Sequence, residues 1–337
     1  MADDDLQKAI EASLAESQAA DEAQAIEASI MESDKVQEKQ AIQMSLAEAK
    51  GPSAEHLAQL SAQEQDRLTI DQMNNILTSI TDSQPMVGEK QGIASTLTEE
   101  YVNNPMKGFL NGIQILDSKY IAMRRVRKDG NCFYRGFLYR YLEALVSAQL
   151  EFTKHHTTST EYSTTTNSEY RVPELIRIRT IVEESKSKLL SVGYEASAMD
   201  MFWEMFLELL DEVPTLDLQT LHTKMNDEKG ISPHVVWFCR ALSATQIKIN
   251  VDRFAPFIMD EFGNVDVDQF CRTQVEPVNH ECEQVQIIAL TEMLQIPVAI
   301  EYLDASGATS CLVFPESAQP TVKLLYRPGH YDILYDQ

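Results

Sequence analysis

The chain changes character at Gly51-Pro52. Before that break, residues 1–50 hold no aromatic residue, no glycine and no proline, and they carry 12 acidic against 4 basic residues. Gly51-Pro52 is the first strong helix breaker, so the boundary belongs there. A polar helix standing alone frays readily, which leaves the packed core to the residues that follow. Of those, 64–80 read as a helical arm, punctuated by Pro85 and Gly88, with short helices up to Tyr120. A strand is expected over 120–126 and a helix over 133–146. Residues 154–168, dense in Thr and Ser, read as a mobile loop. Helical periodicity returns at 199–210, 234–243 and 284–294, and short apolar, β-branched or aromatic runs at 298–302, 322–326 and 330–335 read as strands. Interleaved helices and strands predict an α/β (α+β) domain with a small mixed sheet flanked by helices, preceded by a helical N-terminal extension. With 44% apolar residues in 337, the chain can bury a substantial core.

Charge narrows the partners. The net charge is −24, and residues 1–50 carry a third of it. A negative field of that size disfavours nucleic acid and anionic membrane and favours basic protein surfaces. No uninterrupted apolar run approaches the roughly 18 residues a membrane span needs. Met1-Ala2-Asp3-Asp4-Asp5 is acidic where a signal peptide is basic and then apolar. Five cysteines (132, 239, 271, 282 and 311) form no CxxC pair. That odd, scattered set fits reduced thiols in the cytosol or nucleus better than a disulfide framework. Cys271, His280 and Cys282 lack the second cluster of a structural zinc site, so neither metal nor cofactor is expected.

Three segments of the first fifty residues superimpose at a spacing of 16: Ala9-Ile10-Glu11-Ala12-Ser13, Ala25-Ile26-Glu27-Ala28-Ser29 and Ala41-Ile42-Gln43-Met44-Ser45. Alanine and serine four apart share a helix face, with large apolar residues alongside. The small Ala leaves a notch for a flat apolar surface, and the flanking acids suit a basic rim. A solvated or coiled-coil helix is the plainer reading, but 16 is not a multiple of seven and no single seam is maintained. The pattern resembles the ubiquitin-interacting motif: an acidic run, an apolar residue, then Ala-x-x-x-Ser-x-x-acid. The first copy matches throughout, with Asp3-Asp4-Asp5, Leu6, Ala9, Ser13 and Glu16, whereas Glu22 and Glu38 stand where the later copies need the apolar residue. On that resemblance Leu6, Ala9, Ser13, Ala25, Ser29, Ala41 and Ser45 are the ubiquitin-binding residues, and the first copy binds best. In one continuous helix, neighbouring copies would lie about 24 Å apart and point about 160° away from each other.

Chemistry concentrates at two further places. Asp129-Gly130-Asn131-Cys132-Phe133-Tyr134-Arg135 opens an apolar, helix-like run, and Gly329-His330-Tyr331-Asp332 sits in a strand-like one. A cysteine at a helix N-terminus gains from the helix dipole as its thiolate. Gly130 permits a tight turn whose N–H groups can face a developing oxyanion. His330 would take and return the proton, and Asp332, two residues on in a strand, projects to the same face and could orient the imidazole. For a cysteine or histidine taken alone, an inert buried thiol and a core histidine are the commoner readings.

The wording of the two segments, together with Tyr326-Arg327-Pro328 ahead of the second, resembles the otubain family of ovarian-tumour-type cysteine deubiquitinases. The similarity runs from about Gln65 to Asp336 and takes in Pro85-Met86-Val87, Leu142-Glu143-Ala144-Leu145, Val275-Glu276-Pro277 and Ile287-Ile288-Ala289-Leu290. The resemblance implies a papain-like thiol protease domain over 91–337, an arm over 51–90, and hydrolysis of the isopeptide bond between ubiquitin's C-terminal glycine and lysine. Cys132 becomes the nucleophile, His330 the general base and Asp332 its orienting carboxylate. Asp129 shapes an oxyanion loop of Asp129, Gly130, Asn131 and Cys132, with the N–H groups of Asp129 and Cys132 as donors. Ubiquitin and polyubiquitin chains are the implied partners, and ubiquitin-conjugating enzymes a further class, restrained without cleavage. The basic run Arg124, Arg125, Arg127 and Lys128 reads as solvated strand-end charge rather than a binding site. Two features depart from the family pattern: the Thr/Ser-rich 154–168 and the three front-end repeats.

Overall fold

The computed structural model describes residues 84–156, 172–259, 265–278 and 280–337. The front-end repeats, the helical arm at 64–80 and most of the Thr/Ser-rich stretch lie outside these residues. Pro85–Thr98 and Gly108–Gln337 make up one compact unit. Glu99–Lys107 belong to a second, whose described part is a helix end and a turn in which Asn104 N–H donates to the Tyr101 carbonyl.

The described elements run α1 (Ile93–Tyr101), α2 (Gly108–Lys119), β1 (Tyr120–Arg124), α3 (Cys132–His156), α4 (Pro173–Ser191), α5 (Ala196–Glu212), α6 (Leu218–Met225), α7 (Ser232–Ile249), α8 (Val251–Ile258), α9 (Val267–Phe270), α10 (Gln284–Leu294), β2 (Val298–Leu303), β3 (Thr309–Phe314), β4 (Val322–Arg327) and β5 (His330–Asp336). The strands form one sheet in the order β1-β5-β4-β2-β3, antiparallel except where β2 pairs with β4. A small mixed sheet with helices packed around it is the expected class. Residues 85–90, read with the arm, are built into this unit: Val87 is buried and bridges Val126.

The core explains why α3 lies where it does. Every residue of α3 from Cys132 to Tyr139 is buried, as are Tyr141, Leu142, Leu145 and Val146, so the first half of the helix is enclosed on all sides and runs through the core beside the sheet. Phe133 meets the Tyr331 ring of β5 edge-on, with centroids 5.4 Å apart. The packing of α3 on β4 and β5 brings the cysteine at its first turn to the histidine that starts β5. Pro328-Gly329 joins β4 to β5, and the register pairs Arg327 with His330. Gly329 adopts φ 69°, the left-handed value a type II turn needs at its second corner, and an added Cβ there would sit 3.0 Å from Glu281 Oε1.

The sequence reading misses some boundaries. α3 runs to His156, ten residues beyond the expected end, so residues 154–156 are helical rather than loop. α4 was not anticipated; it starts with proline in its first turn and buries Leu175, Ile178, Ile181, Val182 and Leu189, but a β-branched Ile-Arg-Thr-Ile-Val run masks the helical period. β3 was missed too, because an edge strand with exposed Ser310 and Cys311 lacks an apolar signature.

Candidate active site

Between β1 and α3 the chain turns sharply at Gly130, whose φ of 74° suits a residue without Cβ. Asp129 holds this turn together rather than facing into it. Its carboxylate accepts the Asn131 N–H at 3.0 Å and both terminal nitrogens of Arg135, at 2.8 and 2.6 Å. The turn places Cys132 as the first residue of α3, with the positive end of the helix dipole behind the sulfur. The Asp129 N–H, expected from the resemblance to be an oxyanion donor, instead donates to the Arg127 carbonyl at 3.1 Å and is therefore not available to an oxyanion in this conformation. The Gly130 and Cys132 N–H groups donate to no acceptor among the described residues and are the available donors.

From the other side, His330 Nε2 and Asp332 Oδ1 are 2.9 Å apart. Asp332 is fully buried; its Oδ1 also accepts the Val126 N–H at 3.0 Å, and its Oδ2 accepts Nε and Nη2 of Arg327 at 3.1 and 2.7 Å. Arg125 Nη1 lies 3.9 Å from the same oxygen. Burial alone would raise the Asp332 pKa, but the charges of Arg327 and His330, the His330 hydrogen bond and Arg125 hold it well below the usual carboxylate range. For His330, burial works downward, and the Asp332 charge and hydrogen bond, with Cys132 behind them, push it up to about 9. The other ring nitrogen, Nδ1, is buried with no hydrogen-bond partner of ordinary geometry, and the Cys132 side chain is close enough to raise the ring's proton affinity. Cys132 is 3% exposed and His330 7%, so a narrow, extended substrate segment suits the approach better than a bulky one.

A pH signature follows. A histidine raised on folding stabilises fully below its unfolded pKa of about 6.5, and that stabilisation is lost as pH rises through about 9. Asp332, depressed on folding, contributes stability above its unfolded pKa of roughly 3.9 and loses it as pH falls through its folded value. Thermal unfolding midpoints of the wild type are therefore expected to fall between pH 7 and about 10 more steeply than those of a His330→Asn variant. Equal slopes would remove the raised histidine from the account.

The structure brings Asp129, Gly130, Asn131, Cys132, His330 and Asp332 together. The ubiquitin-interacting residues Leu6, Ala9, Ser13, Ala25, Ser29, Ala41 and Ser45 lie outside the described residues. Burial pushes the Cys239 and Cys271 thiols up to about 12, Cys282 is held well above the ordinary thiol value, and Cys311 is raised as well. Cys132 is thus the thiol seated beside a histidine and a helix N-terminus.

The basic run needs correction. Arg124 donates to the Tyr335 hydroxyl at 2.9 Å and the Gly88 carbonyl at 2.8 Å and pairs with Glu143; Arg127 pairs with Glu228 at 2.6 Å; Arg125 faces Asp332. These three are structural cations that tie the strand end to its surroundings, and Lys128 alone of the four is exposed. Sequence reading also missed two guanidiniums of the site. Arg327 anchors Asp332. Arg240, on α7, is fully buried and donates to Asn131 Oδ1 (2.9 Å) and to the carbonyls of Gly130 (2.6 Å), His280 (2.7 Å) and Val275 (3.0 Å). Arg327 stood within the quoted motif and could have been read from it, whereas nothing local marks Arg240.

Comparison with known proteins agrees with this arrangement. The family model described as peptidase C65, otubain, matches residues 79–336. The ovarian tumour domain-containing deubiquitinating enzyme 1 of Arabidopsis thaliana is 33% identical over 272 residues, 74% of this chain and 81% of the relative. The ubiquitin thioesterase OTUB1 of Homo sapiens is 32% identical over 273 residues, 80% of this chain and 90% of the relative. Among solved structures, an h/ceOTUB1–ubiquitin aldehyde–UBCH5B~Ub complex superimposes with a TM-score of 0.66 at 25% identity, covering 81% of this chain and 98% of that one.

Proposed function

The chain belongs to the peptidase C65, otubain, family, and from that membership we propose that it is a cysteine isopeptidase that removes ubiquitin and cuts polyubiquitin chains. The observation that carries this reading is the buried Asp332–His330 pair beside a cysteine that opens a helix. Cys132 Sγ attacks the carbonyl carbon of the C-terminal glycine, and the Gly130 and Cys132 N–H groups receive the oxyanion. As the C–N bond breaks, His330 gives its proton to the lysine amine and a thioester remains. His330 then takes a proton from water, whose oxygen displaces the sulfur, and ubiquitin leaves with a free carboxylate. Asp332 keeps the imidazole oriented and stabilises its charged form. No cofactor enters these steps.

Residues 1–50 serve as three ubiquitin-interacting helices that concentrate ubiquitinated substrates, 51–84 as an arm that positions a second ubiquitin, and the residues from Pro85 onward as the catalytic domain. The 16-residue repeat and its acidic flanks support the first assignment. Weak modules tethered to a catalytic domain raise effective concentration without new contacts at the cleft. A second, non-catalytic activity as a restraint on ubiquitin-conjugating enzymes is supported by relatives solved with UBC13~Ub and UBCH5B~Ub. The cytosol, with the nucleus, is the proposed location, in keeping with five cysteines that form no disulfide.

The test is a panel of di-ubiquitins of defined linkage offered to the full chain and to residues 51–337. Both forms are expected to cut a minimal ubiquitin C-terminal substrate at similar kcat. The shortened form should bind long chains about 10-fold or more weakly. Inability of the full chain to cut any linkage under reducing conditions would overturn the catalytic reading, and unchanged chain affinity would overturn the repeat assignment.

A further inference from the structure

We propose that Arg240 is a positioning residue for the oxyanion loop, clamping the Gly130–Asn131 peptide so that the free N–H groups on either side of it stay turned to the reacting carbonyl oxygen. The inference rests on the proposed reaction but concerns a residue far from the motif that suggests it. Arg240 spends its hydrogen bonds on two segments: the loop before Cys132, through Gly130 O and Asn131 Oδ1, and the stretch across from it, through Val275 O and His280 O.

Three observations separate this role from ordinary packing. First, the peptide is held at both ends. Its carbonyl goes to Arg240 at 2.6 Å and its N–H to Asp129 Oδ1 at 3.0 Å. A glycine at φ 74° resists rotation of that peptide weakly, since it populates both signs of φ about equally. Without the clamp the carbonyl is free to turn toward the cleft, where it would repel the oxyanion that the N–H groups should meet. Second, all four acceptors are neutral, and among the described residues no carboxylate pairs with Arg240. A fully buried cation without a counter-ion is costly, and the Tyr134 ring, 4.6 Å from the guanidinium carbon, offsets only part of that cost. A neutral side chain would fill the space more cheaply. Third, the charge reaches its surroundings: burial drives the Tyr134 hydroxyl and the Cys282 thiol upward, and Arg240 pulls against both. A positive charge fixed behind the loop favours the negative charge that develops in front of it.

Arg240→Lys keeps the charge and loses the fork that spans both segments; Arg240→Gln loses the charge as well. Three readings are taken on each variant in the full chain: kcat and KM on a fluorogenic ubiquitin C-terminal amide, the rate of Cys132 alkylation by iodoacetamide, and the thermal midpoint. Alkylation needs the thiol but no oxyanion hole, so it separates the loop from the nucleophile. The expected result is a kcat about 10–100-fold lower, larger for Gln than for Lys, with KM and alkylation rate within about 2-fold of wild type. Equal losses in kcat and alkylation, or an unchanged kcat, would overturn the proposal. If both variants fail to fold, Asn131→Ser withdraws one of the four acceptors. Slower turnover at preserved alkylation then supports the clamp, and unchanged turnover overturns it. A wild type that cuts no ubiquitin substrate while its Cys132 alkylates normally would count against the proposed reaction itself.

Discussion

Replacing Cys132 with alanine is expected to lower ubiquitin-chain cleavage by about 10⁴-fold or more while leaving ubiquitin binding in place. Removing the nucleophile of a triad leaves only the contribution of binding and of the oxyanion donors. No other thiol can stand in. Cys239, Cys271 and Cys282 are buried with raised pKa values, and Cys311, though exposed, sits on β3 with its own pKa raised. The substitution removes a single sulfur from a residue 3% exposed, so the surface a substrate meets is almost unaltered. Gel analysis of the di-ubiquitin panel measures the loss, and equilibrium binding of the uncleaved chains measures what remains. Cleavage by the alanine variant at more than a percent of the wild-type rate would remove Cys132 from its assigned role. The same variant divides the two activities proposed above. Restraint of a conjugating enzyme that survives the substitution belongs to the surface of the domain and not to its chemistry.

What could be read from the chain depended on how far apart the interacting residues lie. The nucleophile turn is a run of consecutive residues, and its glycine, cysteine and following aromatics announce a helix start with a free thiol. His330 and Asp332 are two apart in a strand, so their shared face follows from β geometry alone. The sheet was legible where its strands are buried, as in β2, β4 and β5, and illegible at β3, whose edge position removes the apolar pattern. Arg240 stands 109 positions from Asn131. A guanidinium on a helix with no nearby carboxylate looks like surface charge until the fold encloses it. The run at Arg124, Arg125 and Arg127 failed for the same reason: its partners Tyr335, Asp332 and Glu228 come from distant elements. Local chemistry is written locally, whereas the cations that hold it in place are contributed by the tertiary fold.

Asp332→Asn should cost both activity and stability, and the two losses have different causes. For activity, an asparagine can still meet the His330 ring but cannot stabilise its charge. The His330 pKa is then expected to drop from about 9 toward or below its ordinary value, since burial, the force that lowers it, would act unopposed by a carboxylate. An imidazole in the wrong protonation state or tautomer lowers kcat by up to about 10⁴-fold in comparable triads. The basic limb of the pH–rate profile should move down with it. For stability, the carboxylate answers three cations at once: His330, Arg327 and, at 3.9 Å, Arg125. Arg327 and Asp332 are both buried, and removing one member of a buried pair costs up to about 3–5 kcal/mol because the remaining charge loses its counter-ion. Adding Arg327→Met to Asp332→Asn separates the causes. The neutral pair relieves the stranded charge, so the double variant should be more stable than the sum of the single changes predicts, with a coupling of about 0.5–3 kcal/mol. Its turnover should stay as low as that of Asp332→Asn, because nothing restores the imidazolium. Chemical denaturation of the four proteins, with kcat measured on a fluorogenic ubiquitin amide, completes the cycle. Additive stabilities would mean that Arg327 is neutralised by something other than Asp332. Recovery of turnover together with stability would mean that Asp332 serves the fold alone and that His330 needs no carboxylate to work.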